Sequence, residues 1–100
     1  RPVSVEEMRL ELGLPNGVDT ILIAAKLDAA QAHLESLLGY ALADEFPDGV
    51  PADLIGAIKM LAANAYENRE SSLVGLAAIE TPFGVWDVVA NRRHYSWADA

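Results

Sequence analysis

The sequence contains no cysteine, which excludes disulfides, thiolate metal sites and thiol nucleophiles. Histidine is also scarce: His33 and His94 are the only two, and they stand in no metal-binding or catalytic spacing. There is neither a glycine-rich phosphate loop nor a nucleophile elbow. Carboxylates are plentiful, but acids on helix surfaces are usually only solvated. We therefore expect that the protein is not an enzyme and that it holds no cofactor or metal.

Basic residues are few as well. There are 7 Lys and Arg against 15 Asp and Glu, a formal net charge of −8. Because phosphate backbones are bound by Lys and Arg, this balance argues against nucleic-acid binding as the main activity. The exception is the segment 92–100, which contains Arg92 and Arg93 but only one acidic residue and is therefore net basic. No apolar run approaches the length of a membrane span, and the first residues lack the order of a signal peptide, so we expect a soluble chain with no membrane partner.

Large apolar side chains are limited too. The sequence is 52% hydrophobic but only 7% aromatic, so its apolar content is mostly Ala, Leu, Val and Ile. One hundred residues suffice for one domain with a single core. A core of such small side chains is thin, which favours burial of some apolar surface against a partner.

Helical periodicity dominates what is present. Ser4 and Glu7 form the sequence pattern of a capping box, which predicts a short helix over about 5–12 that ends at Gly13. A turn follows, and a long helix is predicted over 18–38, ending at Gly39 as its C′ residue.

The second predicted helix has two apolar faces. Its larger residues form one face, made of Ile23, Leu27, Ala30, Leu34 and Leu38. The other face is rich in alanine and contains Val18, Ile21, Leu22, Ala25, Ala29 and Ala32. A helix in a monomeric three- or four-helix domain usually needs one such stripe. The alanine-rich face therefore predicts either close contact with another subunit or packing on both sides within the same domain.

Residues 39–50 are predicted to form a loop, whose acids lack the spacing of a calcium site. Pro51 suits the first position of a third helix over 51–70. That helix has one core stripe, made of Leu54, Ile58, Leu61, Ala62 and Ala65. The sequence thus predicts a helical core over 1–70.

The pattern lapses after the third helix, so we expect a flexible loop over 71–81. Thr81 and Pro82 resemble the start of a short helix over about 82–91, and a basic, aromatic tail follows. One face of this helix is predicted to carry Phe83, Trp86, Val89 and Ala90. We expect 82–100 to be a docking segment whose removal leaves the core folded. The predicted fold is all-α, a small three-to-four-helix domain with a mobile loop and a short C-terminal helix and tail.

Three sequence blocks support a family resemblance. They are Val50-Pro51-Ala52-Asp53-Leu54, Tyr66-Glu67-Asn68-Arg69-Glu70 and, after a short apolar loop, Thr81-Pro82-Phe83-Gly84-Val85. Together they resemble the head–tail connector (adaptor or head-completion) proteins of tailed bacteriophages and of phage-like gene transfer agents. The blocks cover about the second half of the chain. Where many members have Leu-Leu in the last helix, this chain has Val88-Val89.

The resemblance implies a structural protein of the virion, or of a phage-like particle, located at the capsid–tail junction and in the host cytoplasm during assembly. It implies a ring of copies, commonly dodecameric, beneath the portal protein. Such a ring extends the DNA channel, lets DNA pass without specific binding, and offers a docking surface to a stopper or tail-completion protein.

Two sets of residues are predicted to make these contacts. The subunit interface is predicted at Ala25, Ala29, Ala32, Tyr66, Arg69 and Glu70. Tyr66 can instead be a core residue, since it lies near the apolar stripe, and Glu70 can instead pair with basic groups on its own surface. Portal docking is predicted at Phe83, Trp86, Arg92, Arg93, Tyr95 and Trp97, since aromatics and Arg commonly anchor interfaces. Phe83 and Trp86 are also explained by docking on their own domain, which is the commoner outcome for a short helix.

Two other classes remain open from the sequence. One is a small helical dimeric regulator, antitoxin-like or transcription-associated, that dimerises through the alanine-rich face and binds nucleic acid with its basic tail. The other is a monomeric helical domain with a disordered tail.

Overall fold

The computed structural model describes residues 2–67 and 82–93, apart from the side chain of Phe83. These ranges form five α-helices and no strand, which confirms the all-α prediction. The helices are α1 (Val5–Leu12), α2 (Thr20–Leu38), α3 (Leu42–Glu45), α4 (Ala52–Glu67) and α5 (Phe83–Arg92). The predicted loop over 71–81 and the tail after Arg93 lie outside the described residues.

The predicted capping box opens α1. The Glu7 amide donates to Ser4 Oγ over 3.0 Å, and the Ser4 amide donates back to the Glu7 carboxylate over 3.2 Å. The helix ends at Gly13, which has the left-handed conformation with φ 73°. Both boundaries of α1 are therefore as predicted, because the signals that set them are local.

Helix α2 begins at Thr20, two residues after the predicted start, because Asp19 before it takes a left-handed conformation with φ 53°. It ends at Leu38, where Gly39, with φ 88°, donates its N–H to the Glu35 carbonyl over 2.9 Å. The predicted C-terminus is confirmed. An aspartate tolerates the left-handed region better than most residues.

The predicted loop over 39–50 contains the one-turn helix α3. Its first amide, that of Leu42, donates to the Glu35 carboxylate of α2 over 2.8 Å. Leu42 itself is fully buried. The turn is thus stabilised by a side chain seven residues earlier, a signal that local sequence patterns do not contain.

Helix α4 begins at Ala52. The Pro51 carbonyl accepts the Leu54 and Ile55 amides over 3.1 Å each, so Pro51 precedes the helix and is not its first residue. The described helix ends at Glu67, and the predicted last three residues lie outside the described part.

Helices α2 and α4 pack against each other at the centre, and α1 and α5 each contact both. The large-residue face of α2 is buried as predicted. So are four of the five residues of the predicted α4 stripe, while Ala65 is half-buried. The core consists of Val3, Met8, Ile23, Leu27, Ala30, Leu34, Leu38, Leu42, Leu54, Ala57, Ile58, Leu61, Ala62, Tyr66, Val85 and Val89.

Helix α5 buries only part of its predicted apolar face. Val89 is buried, but Trp86 is 44% exposed, Ala90 is exposed, and Val85 takes the inner position at 0% exposure. Because small valine side chains fill the interface, α5 lies close to α4. At Gly84 of α5, an added Cβ atom would lie only 3.1 Å from Met60 Cε of α4. Since Val85 and Val89 belong to the core, α5 packs against the helical domain. The division into a core and a docking segment over 82–100 stays a prediction.

Candidate functional site

Ile21, Ala25, Ala29 and Ala32 are all exposed on the side of α2 turned away from the core, which we call the outer face of α2. Ile21 is 87% exposed, the largest value among the large hydrophobic side chains in the described ranges. Nothing in residues 2–67 or 82–93 covers this face. The alternative in which α2 packs on both sides within its own domain therefore finds no support in the described residues.

The two edges of the outer face differ in charge. At about 100° per residue, Lys26 and His33 lie along one edge, and Asp28 and Glu35 along the other. Glu35 is engaged by the amide of Leu42 and by Gln31. Lys26 is the one Lys or Arg of the described ranges with no hydrogen bond or ion pair. It is therefore available to a second molecule.

Tyr66 joins α4 to the start of α2. Its ring is 8% exposed, and its hydroxyl donates to the Asp19 carboxylate. This contact accounts for the side chain within a single chain and favours the core interpretation of Tyr66. Its role at a subunit interface stays a prediction. Arg69 and Glu70, predicted beside it, lie outside the described residues.

Arg92, predicted to dock on a portal, makes contacts within its own chain. Its Nε donates to Asp53 Oδ2 of α4 over 2.6 Å, and its backbone carbonyl accepts the Tyr40 hydroxyl over 2.9 Å. The guanidinium carbon lies 5.8 Å from the centre of the Phe46 ring. Arg92 therefore fastens the end of α5 to the domain, a long-range contact that the basic character of the tail does not reveal.

Two pKa values reflect this cluster. The hydrogen bond from Arg92 is the main cause that lowers the pKa of Asp53. Burial chiefly raises the pKa of the Tyr40 hydroxyl, and the nearby charge of Glu45 adds to the effect. The cluster is thus an ion pair with an aromatic rim, and its role is structural.

The other predicted docking residues divide into two groups. Trp86 is 44% exposed and Arg93 is exposed, so both lie on the surface near the end of the described chain. The side chain of Phe83 and the whole of Tyr95 and Trp97 lie outside the described residues. Trp86 is therefore the aromatic group of this set that the structure places at the surface.

A groove that was not predicted from the sequence runs along the outward side of α4, bounded by α1 and the start of α5. We call it the α4 groove. Gly56 and Ala63 are its small residues, and Met60 is 43% exposed within it. Its full lining is Glu11, Gly56, Lys59, Met60, Ala63, Asn64, Glu67 and Pro82. The sequence did contain a signal for this groove. Met60 lies among small residues on the side of α4 opposite its core stripe.

Some charged side chains of the α4 groove form ion pairs, and one does not. Lys59 Nζ lies 3.9 Å from carboxylate oxygens of both Glu7 and Glu11. Glu67, at the far end of the groove, is exposed and has no hydrogen bond or ion pair in the structure as described. The groove therefore has one unpaired carboxylate.

Groups of three or more possible metal-ligating side chains do not occur within residues 2–67 and 82–93. No helix in these ranges is long and apolar enough to cross a bilayer. The outer face of α2 and the α4 groove are mainly apolar, and each has one charged side chain without a partner in the described residues. Such surfaces suit contact with other macromolecules.

A comparison with protein families gives one match. The family model described as phage gp6-like head-tail connector protein covers residues 2–85. This range includes the first half of the chain, beyond the blocks that carried the resemblance. No curated protein and no solved structure matches the chain.

Proposed function

Because the chain belongs to the phage gp6-like head-tail connector family, we propose that its copies form a ring beneath the portal protein of a phage or phage-like particle. The family resemblance seen in the sequence is confirmed, and the chain has a structural, non-enzymatic head–tail connector role in a virion. Membership implies association with portal and tail proteins. The small dimeric regulator stays the alternative function, and family membership favours the connector over it.

The exposed outer face of α2 is the observation that supports the ring. Burying Ile21 and the alanines beside it would be favourable, since apolar surface contributes about 25 cal/mol per Å² removed from water. Alanines let another helix approach closely, and the core needs only the opposite face. We propose that Ala25, Ala29 and Ala32 lie at the contact between subunits, and that the ring is dodecameric.

The net charge of −8 supports the proposed channel. A ring of acidic subunits repels phosphate groups, so the duplex can pass without being held. We propose that the ring extends the DNA channel in this way.

Portal attachment is proposed at α5 and the residues after it. Trp86 and Arg93 are exposed there, and the sequence adds Phe83, Tyr95 and Trp97. Arg92 holds α5 in position through Asp53, so its part in docking is indirect. The opposite side of the ring would then receive the stopper or tail-completion protein.

The ring is tested by native mass spectrometry and negative-stain electron microscopy of the purified chain, alone and with portal protein. We expect closed rings in at least one of these samples. Ala29→Leu should retain helical circular dichroism but lose the ring, because overpacking costs about 1–3 kcal/mol at each contact. Ala43→Leu, at an exposed alanine of α3 that belongs to neither proposed contact surface, is the matched control and should still assemble. Monomers of the wild-type chain in both samples would overturn the proposal.

A further inference from the structure

We propose that the α4 groove of one copy receives the outer face of α2 of the next copy. This inference rests on the proposed ring and names the two surfaces that close it. The observation behind it is that exposed apolar side chains lie on two different helices, Ile21 on the outer face of α2 and Met60 in the α4 groove.

The symmetry of a ring requires two different surfaces. An isologous contact uses the same patch on both subunits and closes at a dimer, whereas a head-to-tail contact continues until the ring closes. Two outer faces of α2 packed together would therefore leave a dimer. Pairing the outer face with the α4 groove gives each copy one donor surface and one acceptor surface.

The shapes of the two surfaces are compatible. The groove has the small residues Gly56 and Ala63 beside the flexible side chain of Met60, which adapts to an incoming group. The outer face offers the projecting side chain of Ile21 above a row of alanines. Small residues on both sides allow the two helices to approach closely.

Charge complementarity supports the same pairing. Lys26, at the edge of the outer face, and Glu67, at the end of the groove, both lack an intramolecular partner in the described residues. The other charges of the groove, Lys59 and Glu11, already lie within ion-pair distance of each other. A Lys26–Glu67 contact between copies would set the register of two otherwise acidic chains.

The absence of cysteine allows a direct cross-linking test. The double variant Ile21→Cys with Met60→Cys, assembled into rings and oxidised, should give a ladder of covalent oligomers on a non-reducing gel. Each single variant should stay monomeric on the gel, and a mixture of the two single variants should give dimers alone. Native mass and circular dichroism before oxidation establish that each variant is folded and assembled.

Several results would overturn the inference. Rings of the double variant that give no ladder place the contact elsewhere while leaving the proposed ring intact. Strong dimers of Ile21→Cys alone show that α2 packs on α2. Absence of rings in every wild-type sample overturns the proposed function, and this inference with it.

A charge exchange gives an independent check. Lys26→Glu and Glu67→Lys should each weaken assembly, seen as a higher concentration needed for half of the chains to enter rings. The double exchange should restore assembly towards wild type. Glu67→Lys is mild for the fold, since Glu67 is exposed and its side chain has no partner in the described residues. If the double variant assembles even less readily than either single variant, Lys26 and Glu67 do not contact each other directly.

Discussion

Arg92 fixes the end of α5 through contacts with three other parts of the chain. Its guanidinium pairs with Asp53 at the start of α4 and lies against Phe46 after α3, while its carbonyl accepts the Tyr40 hydroxyl. The side chains of Arg92 and Asp53 are 34% and 39% exposed, so solvent weakens their attraction. The cluster therefore positions α5 more than it stabilises the whole domain.

At this scale we predict the effect of Asp53→Asn. Loss of the ion pair should lower the free energy of unfolding by about 0.2–1 kcal/mol at neutral pH, the range for exposed pairs. Urea unfolding followed by circular dichroism measures the change. Asp48→Asn is the matched control, because Asp48 is exposed and has no partner in the described residues. An equal change in both variants would contradict a specific role for Asp53.

Acid should act on the same pair. Arg92 lowers the pKa of Asp53, so the folded state binds this proton less readily than the unfolded state does. The stability that it contributes is fully present above the ordinary aspartate pKa of about 3.9 and is lost as the pH falls through the lowered value. The difference in unfolding free energy between wild type and Asp53→Asn should therefore shrink below about pH 4. A difference that persists at the lowest pH would contradict the assignment.

Among the elements, α5 is proposed to combine folding and portal docking on two faces. Val85 and Val89 point into the core, while Trp86 is partly exposed. Portal docking and folding can therefore be separated by single substitutions, although removing the whole helix disturbs both. Deletion of 82–100 is thus a poor test of docking.

We predict opposite outcomes for two substitutions in α5. Val89→Ala should lower the free energy of unfolding by about 2 kcal/mol, since it removes two buried carbons and leaves a cavity. Trp86→Ala should change stability less but reduce co-assembly with the portal protein. Urea unfolding and co-sedimentation with portal rings measure the two effects. Normal co-sedimentation of Trp86→Ala would remove this residue from the docking surface.

The elements also show how far sequence patterns reach. The capping box of Ser4 and Glu7 and the core face of α2 were predictable, because caps and helical periodicity are local. Helix α3 was not, since its first amide is held by Glu35 of another helix. The sequence did not predict which apolar residues of α5 point inward, because the fit of the helix against α4 decides this. The outer face of α2 was visible in the sequence, whereas the α4 groove exists only once α1, α4 and α5 are packed together.

On the scale of the whole molecule, the charge balance decides how the chain meets DNA. The excess of acids gives a net charge of −8 per copy. Of the two arginines that make the tail basic, Arg92 is already paired with Asp53. The described surface therefore offers no cluster of cations that could hold a phosphate backbone. In a ring this acidity is repeated in every copy, which suits a channel and opposes a grip on the duplex.

We predict that purified rings do not retain duplex DNA at physiological ionic strength. Affinity for a duplex grows with the number of phosphates neutralised by Lys and Arg, and it falls steeply with salt when that number is large. A mobility-shift titration with a duplex of random sequence, repeated over a range of salt concentrations, measures both properties. A chain truncated after Arg93 removes Tyr95 and Trp97 while keeping α5, and should behave like wild type. A clear shift at physiological salt would contradict the repelling channel and favour the regulator that binds nucleic acid with its tail, and its loss on truncation would assign the binding to the residues after Arg93.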